Sequence, residues 1–172
     1  VQSTRLPHTC VDVTLTHTCS VAMRVHQRVF PLEKDGALDN HFLVVTNNPM
    51  GKADLIAEGN ARVLAARFHD ARHFFANDKR APLVEHGHAL QDMRWIRNGG
   101  TMAEKTARVG ELAQALAEQL GAQAGLAAQA GALSKCDLAT EMVGEFPELQ
   151  GHVGRLLATH EGQPSEVALA IE

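Results

Sequence analysis

Thr101-Met102-Ala103-Glu104, continued to Gly121, is the stretch that decides the fold. A Thr with Glu three residues later, just ahead of an apolar run, is the capping-box pattern in which each side chain satisfies the other's free backbone N–H. Behind it Val109, Leu112, Leu116 and Leu120 recur on one helical face, and Gly121 supplies the stop. A helix over 101–120 is predicted, with that apolar stripe along one face. Upstream, Asn98-Gly99-Gly100 is a strong break. Downstream, the Ala- and Leu-rich residues 124–144 continue the helical pattern until Pro147 ends it, and Val167 to Glu172 form an apolar segment with no stop signal, as if cut inside a helix.

Further from this centre, Pro82 suits a helix start. Asp54 suits an N-cap, and Leu55, Ile56, Val63, Leu64, Phe68, Phe74 and Phe75 recur at roughly helical spacing behind it, giving one long helix with a bend near Gly59. At the N-terminal end, Val11–Leu15 alternates apolar and polar residues, and Phe42–Val45 is a short apolar run closed by Asn47-Asn48-Pro49. With Pro31–Gly36 as a hairpin connection, residues 11–46 read as a small antiparallel unit. The expected class is α+β, mainly α. Residues 1–50 form a partial α+β region with strands, 51–98 a long helix with connecting helices, and 99–172 the start of a helical domain.

The chain has 172 residues, 45% of them hydrophobic but only 4% aromatic, with no Tyr and one Trp. That suffices for one domain, or a small domain and part of another, with a core of Leu, Val, Ala and Met. No stretch approaches the ~20 apolar residues of a bilayer span, and no charged-then-apolar leader opens the chain, so a cytoplasmic protein without membrane attachment is expected. Three cysteines are too few and too scattered for a disulfide framework. The start at Val1 rather than Met is what an excerpt or a processed chain would show.

The net charge of −4 conceals an asymmetry: residues 1–108 hold 14 Lys/Arg against 11 Asp/Glu, and residues 109–172 hold 2 against 9. A nucleic acid partner would meet the first part, because neutralised phosphates supply most of the binding energy. His8-Thr9-Cys10 and His17-Thr18-Cys19 offer the residue types of a zinc site, but His-x-Cys spacing differs from the tight C-x2-C turn such sites use. Arg62, His69 and His73 share one helical face as a cationic stripe, and His86-Gly87-His88 reads as a surface turn. Asp137 and Glu141 stand one helical turn apart, a spacing that suits paired carboxylates, although acids at helix starts are commonly there for electrostatics alone. No phosphate loop, dinucleotide fingerprint, nucleophile elbow or Cys/His nucleophile pattern occurs.

The block Ser134-Lys135-Cys136-Asp137-Leu138-Ala139-Thr140-Glu141-Met142-Val143-Gly144-Glu145-Phe146-Pro147-Glu148-Leu149-Gln150-Gly151 resembles the signature of the bacterial glycyl-tRNA synthetase β-subunit family. Met23–Pro31, Glu58–Leu64, Arg67–Arg72 and Gly100–Thr106 resemble further blocks of that family in the same order, so the resemblance covers about residues 20–172. It implies an α2β2 ligase. The α subunit makes glycyl-adenylate with ATP and Mg, and the β subunit grips tRNA(Gly) and needs no cofactor in this stretch.

The helical part is similar to the HD superfamily of metal phosphohydrolases, here as a truncated HD-like helical bundle. Lys105 stands at the first His position and Ser134-Lys135 about where His-Asp would be, which implies no metal and no hydrolase activity, because an ammonium repels a cation. On this reading Arg24, His26, Arg28, Arg62 and Arg67 are the expected tRNA or α-subunit contacts, and Lys105 and Lys135 are remnants of the HD site. Self-association through the truncated end is expected, because apolar helix faces lack partners there. The competing expectations are a stand-alone HD-like phosphohydrolase or nucleotide-binding module, and a truncated product that only folds.

Overall fold

Asp35 and Gly36 both take positive φ, 53° and 78°, which is what a two-residue type I′ turn requires. They join β2 (Phe30–Lys34) to β3 (Ala37–Val44), with Lys34 opposite Ala37 and Phe30 opposite Leu43. The hairpin loop is thus only two residues long, and Pro31–Lys34 is strand rather than connection. β1 (Gln2–Arg5) pairs antiparallel with the other edge of β3, giving the order β1-β3-β2, and Phe42 on the central strand is fully buried. The computed structural model describes residues 2–5, 15–47 and 51–172, divided into two compact units, 1–74 and 75–172.

Most of the strand expected at Val11–Leu15 lies outside the described residues, and Leu15 opens a helix instead. α1 (Thr16–Val21) runs into a π-helical turn over Ala22–His26, so residues 16–26 do not belong to the antiparallel unit expected over 11–46. Leu15, Cys19, Ala22 and Met23 are all buried, a helical spacing that outweighs the alternation before it. The π turn closes with Gln27 N–H donating to the Ala22 carbonyl at 3.1 Å.

α2 (Ala53–Asp78) is one continuous helix with no break at Gly59, and Asp54 stands inside its first turn rather than ahead of it. Leu64, Phe68, Ala71, Phe75 and Asp78 are buried at spacings of four and three, one stripe of the helix, whereas Leu55 and Val63 are exposed.

In the second unit, α3 (Leu83–His86) starts after Pro82 and passes directly into a 3-10 turn over Gly87–Gln91. His86-Gly87-His88 is therefore helical rather than a surface turn. α4 (Met102–Gln119) begins with the full capping box of Thr101 and Glu104. Its buried positions are Thr106, Gly110 and Ala117, while Leu112 is 61% and Leu120 81% exposed, so the leucine stripe is not the packing face.

The reason is a close approach. α5 (Ala124–Leu133) meets α4 where a Cβ on Gly131 would stand 2.6 Å from the Gly110 Cα, a contact only small residues permit. The helix expected over 124–144 breaks after Leu133 into a 3-10 turn (Cys136–Ala139), α6 (Glu141–Glu145) and a second 3-10 turn (Pro147–Leu149). α7 (His152–His160) and α8 (Ser165–Ile171) complete the unit, whose core includes Met142, Phe146, Leu149, Val153, Leu157 and Val167. Among the described residues no helix is long and apolar enough to cross a membrane.

Candidate functional site

The chemistry-bearing groups of the second unit fall into two sets, one buried and one exposed. The buried set lies in Ser134–Gly154. Asp137 is fully buried, and its Oδ2 accepts the N–H of Gly151 at 2.5 Å and of Gly154 at 3.1 Å, so it caps the start of α7 from 14 residues away in sequence. Its Oδ1 has no hydrogen-bond partner among the described residues. Burial pushes the carboxyl above its ordinary range, and the two backbone N–H groups oppose the shift only in part.

Asp78, also buried, performs the same task for α6. Its two oxygens accept the N–H groups of Glu141 at 2.9 Å and Met142 at 3.0 Å, while the Thr140 hydroxyl accepts from Val143 N–H. Two buried aspartates thus satisfy two helix starts. The Asp137–Glu141 pair does not form: Glu141 is exposed and accepts a hydrogen bond from the Asn77 amide at 3.1 Å. The adjacent Cys136 thiol is pushed up to about 11 by burial first and by the neighbouring Asp137 charge second, far from a reactive thiolate.

The expected cationic residues are dispersed. In the first unit Arg24 and Arg28 line one cleft of about 430 Å³ with Val29, Phe30 and Pro31. Arg28 there takes φ 53°, and Arg24 is 3.8 Å from Glu33 in an exposed ion pair that contributes little. His26 closes the same π turn. Arg62 is exposed and paired with Glu58 at 2.8 Å, and Arg67, five residues on, falls about 140° round the helix and is half-buried. His69 and His73 are both exposed, as the stripe with Arg62 requires.

In the second unit Lys105 holds its Nζ 4.8 Å from the centre of the Trp95 ring, a cation–π contact. Lys135 is half-buried ahead of the Cys136–Ala139 turn. Among the described residues no three His, Cys, Asp or Glu side chains converge as metal ligands. Of the His/Cys repeats, residues 8–10 lie outside the described residues and Cys19 is buried.

A family model described as glycyl-tRNA synthetase beta subunit matches residues 16–172. The chain is 43% identical over 153 residues to the glycine–tRNA ligase β subunit of Janthinobacterium sp. (strain Marseille), which is 88% of this chain and 22% of that protein. It is 42% identical over 151 residues to that of Ralstonia nicotianae and 44% identical over 150 residues to that of Pseudomonas aeruginosa (strain UCBPP-PA14), in both cases 87% of this chain and 22% of the relative. The chain belongs to the glycyl-tRNA synthetase β-subunit family.

It spans about a fifth of the length of these relatives. Within this stretch of a glycyl-tRNA synthetase β subunit, the signature block at 134–151 contributes structure: Asp137, Thr140, Phe146 and Leu149 are all buried, and its polar groups serve helix ends. Sequence reasoning missed Asp78 and the cap of Asp137, because both partners are distant in sequence. It also passed over Arg94, Trp95, Arg97 and Arg108, although an Arg-Trp-x-Arg cluster is itself a signal for polyanion contact.

Proposed function

We propose that this chain is a tRNA-contacting, noncatalytic part of a glycine–tRNA ligase β subunit, supporting the charging of tRNA(Gly) by a separate α subunit that uses ATP and Mg. The carrying observation is the division of charge in a chain of this family: the buried aspartates are occupied as helix caps, while cations such as Arg24 and Arg28 open onto a cleft. Such cations suit phosphate, with the guanidinium of Arg able to engage two oxygens at once.

Lys105 and Lys135 favour this role over an HD-type phosphohydrolase. An ammonium and a hydroxyl-ammonium pair at the expected ligand positions are a donor set that does not fit a divalent cation. The test is a reconstituted α2β2 ligase whose β subunit carries Arg24→Ala with Arg28→Ala. Glycyl-adenylate formation should be unchanged and the KM for tRNA(Gly) raised. Unaltered charging, or metal-dependent phosphodiesterase activity of the chain itself, contradicts the proposal.

A further inference from the structure

Residues 92–108 carry four cations, Arg94, Arg97, Lys105 and Arg108, against Asp92 and Glu104, and Glu104 is already engaged in the capping box. This is a local charge of +2 in a chain of net −4. The loop that presents Arg94 and Arg97 is fixed by its own backbone. Trp95 N–H donates to the Gly100 carbonyl at 3.0 Å, Gly99 N–H to Ile96 at 3.0 Å, and Met102 N–H to Met93 at 2.7 Å. Asn98 and Gly100 take left-handed φ of 63° and 83° to close it. A Cβ at Gly99 would stand 2.3 Å from the exposed Ile96 side chain, which would have to move to admit it.

Trp95 organises the cations. Lys105 Nζ lies 4.8 Å from the ring centre and the Arg108 guanidinium 5.6 Å, and Arg108 also donates to the Gly99 carbonyl at 3.3 Å. Two cations from α4 are thus tied to the loop. Arg94 and Arg97 are exposed and line an open cleft of about 570 Å³ that also holds Asp92, Ile96, Asn98 and Thr101, and neither arginine is in an ion pair among the described residues.

We infer that this loop and the first turns of α4 form a second seat for an RNA phosphate backbone, with Arg94 and Arg97 as direct phosphate contacts and Trp95 as the positioning residue for Lys105 and Arg108. The inference rests on the tRNA-contacting role above. Holding like charges together without neutralising them is unfavourable unless an anion completes the set, and fixing them beforehand lowers the ordering cost of binding. The exposed Trp95 and Ile96, like arginine, are also residue types that protein interfaces favour, but the local charge of +2 over a polar cleft matches a polyanion better.

The test is the salt dependence of tRNA affinity for the 172-residue chain, wild type against Arg94→Gln/Arg97→Gln, with thermal melting to verify folding. The slope of log affinity against log salt should become shallower by about one for each cation removed, so the affinity loss between low and moderate salt shrinks by roughly three- to fourfold per cation. Arg94→Lys/Arg97→Lys should retain the wild-type slope. Trp95→Ala, by releasing Lys105 and Arg108, should weaken binding while changing the slope less. Wild-type affinity and slope in the double Gln variant, with Arg24→Gln/Arg28→Gln lowering both, would overturn this seat and leave the tRNA role standing. No wild-type binding at low salt would overturn both. A double Gln variant that loses the α subunit while keeping tRNA would assign the loop to protein docking and overturn the RNA seat.

Discussion

Residues 134–154 and residues 92–108 belong to the same compact unit and use charge in opposite ways. The first stretch buries Asp137 and uses its carboxyl on backbone N–H groups; the second exposes Arg94 and Arg97 on a backbone-locked loop and rests Lys105 and Arg108 of α4 on Trp95. The buried acid uses one oxygen on two helix-start N–H groups, while its second, Oδ1, has no hydrogen-bond partner among the described residues. Arg94 and Arg97 are exposed and in no ion pair among the described residues. The comparison therefore sets a stretch that makes the fold beside one that we propose to contact RNA.

The sharpest way to break this division is Asp137→Ala, which leaves the N–H groups of Gly151 and Gly154 buried without an acceptor and should cost about 3 kcal/mol in urea unfolding. Asp137→Asn keeps one acceptor oxygen and should cost much less. Its effect should vary with pH: because the folded-state pKa of Asp137 is raised above 3.8, the native state holds the proton more tightly than the unfolded chain. That stabilising contribution is fully present below 3.8 and is lost as pH rises through the raised value, so the wild type should lose stability relative to Asp137→Asn across that window. A wild-type advantage that instead grows with rising pH would show a depressed pKa.

Next in size is Gly131→Ala, whose added Cβ meets the backbone of Gly110 and should lower stability by about 1–2 kcal/mol despite better helix propensity, read as a shift of the melting midpoint. Leu112→Gln with Leu116→Gln, on the exposed face of α4, should change unfolding by under about 0.5 kcal/mol and reduce any self-association seen by sedimentation. Arg94→Gln with Arg97→Gln should fall in the same small range for stability. A large loss there would mean that the loop belongs with the fold-making part.

What was legible in the sequence was local. The Thr101/Glu104 box closes within three residues and the Asp35-Gly36 turn within two, so both elements could be placed, although the hairpin loop proved shorter than Pro31–Gly36. The packing face of α4 was not, because Val109, Leu112, Leu116 and Leu120 have the period of a core stripe, and the true contact depends on Gly131 in another helix approaching Gly110. The helix at 16–21 was hidden behind the alternation of the residues before it. Asp78 and Asp137 were illegible as caps since their donors lie 63 to 64 and 14 to 17 residues away. Lys105 was singled out, but its partner Trp95 lies across the loop break that separates them in the pattern.

Hydrogen–deuterium exchange of an assembled ligase with and without tRNA(Gly) tests the division most directly. Added protection should appear in residues 92–108 and be absent from residues 134–154, whose capped helix starts are already closed. Unchanged exchange at 92–108, or tRNA-induced protection centred on 134–154, would contradict the account.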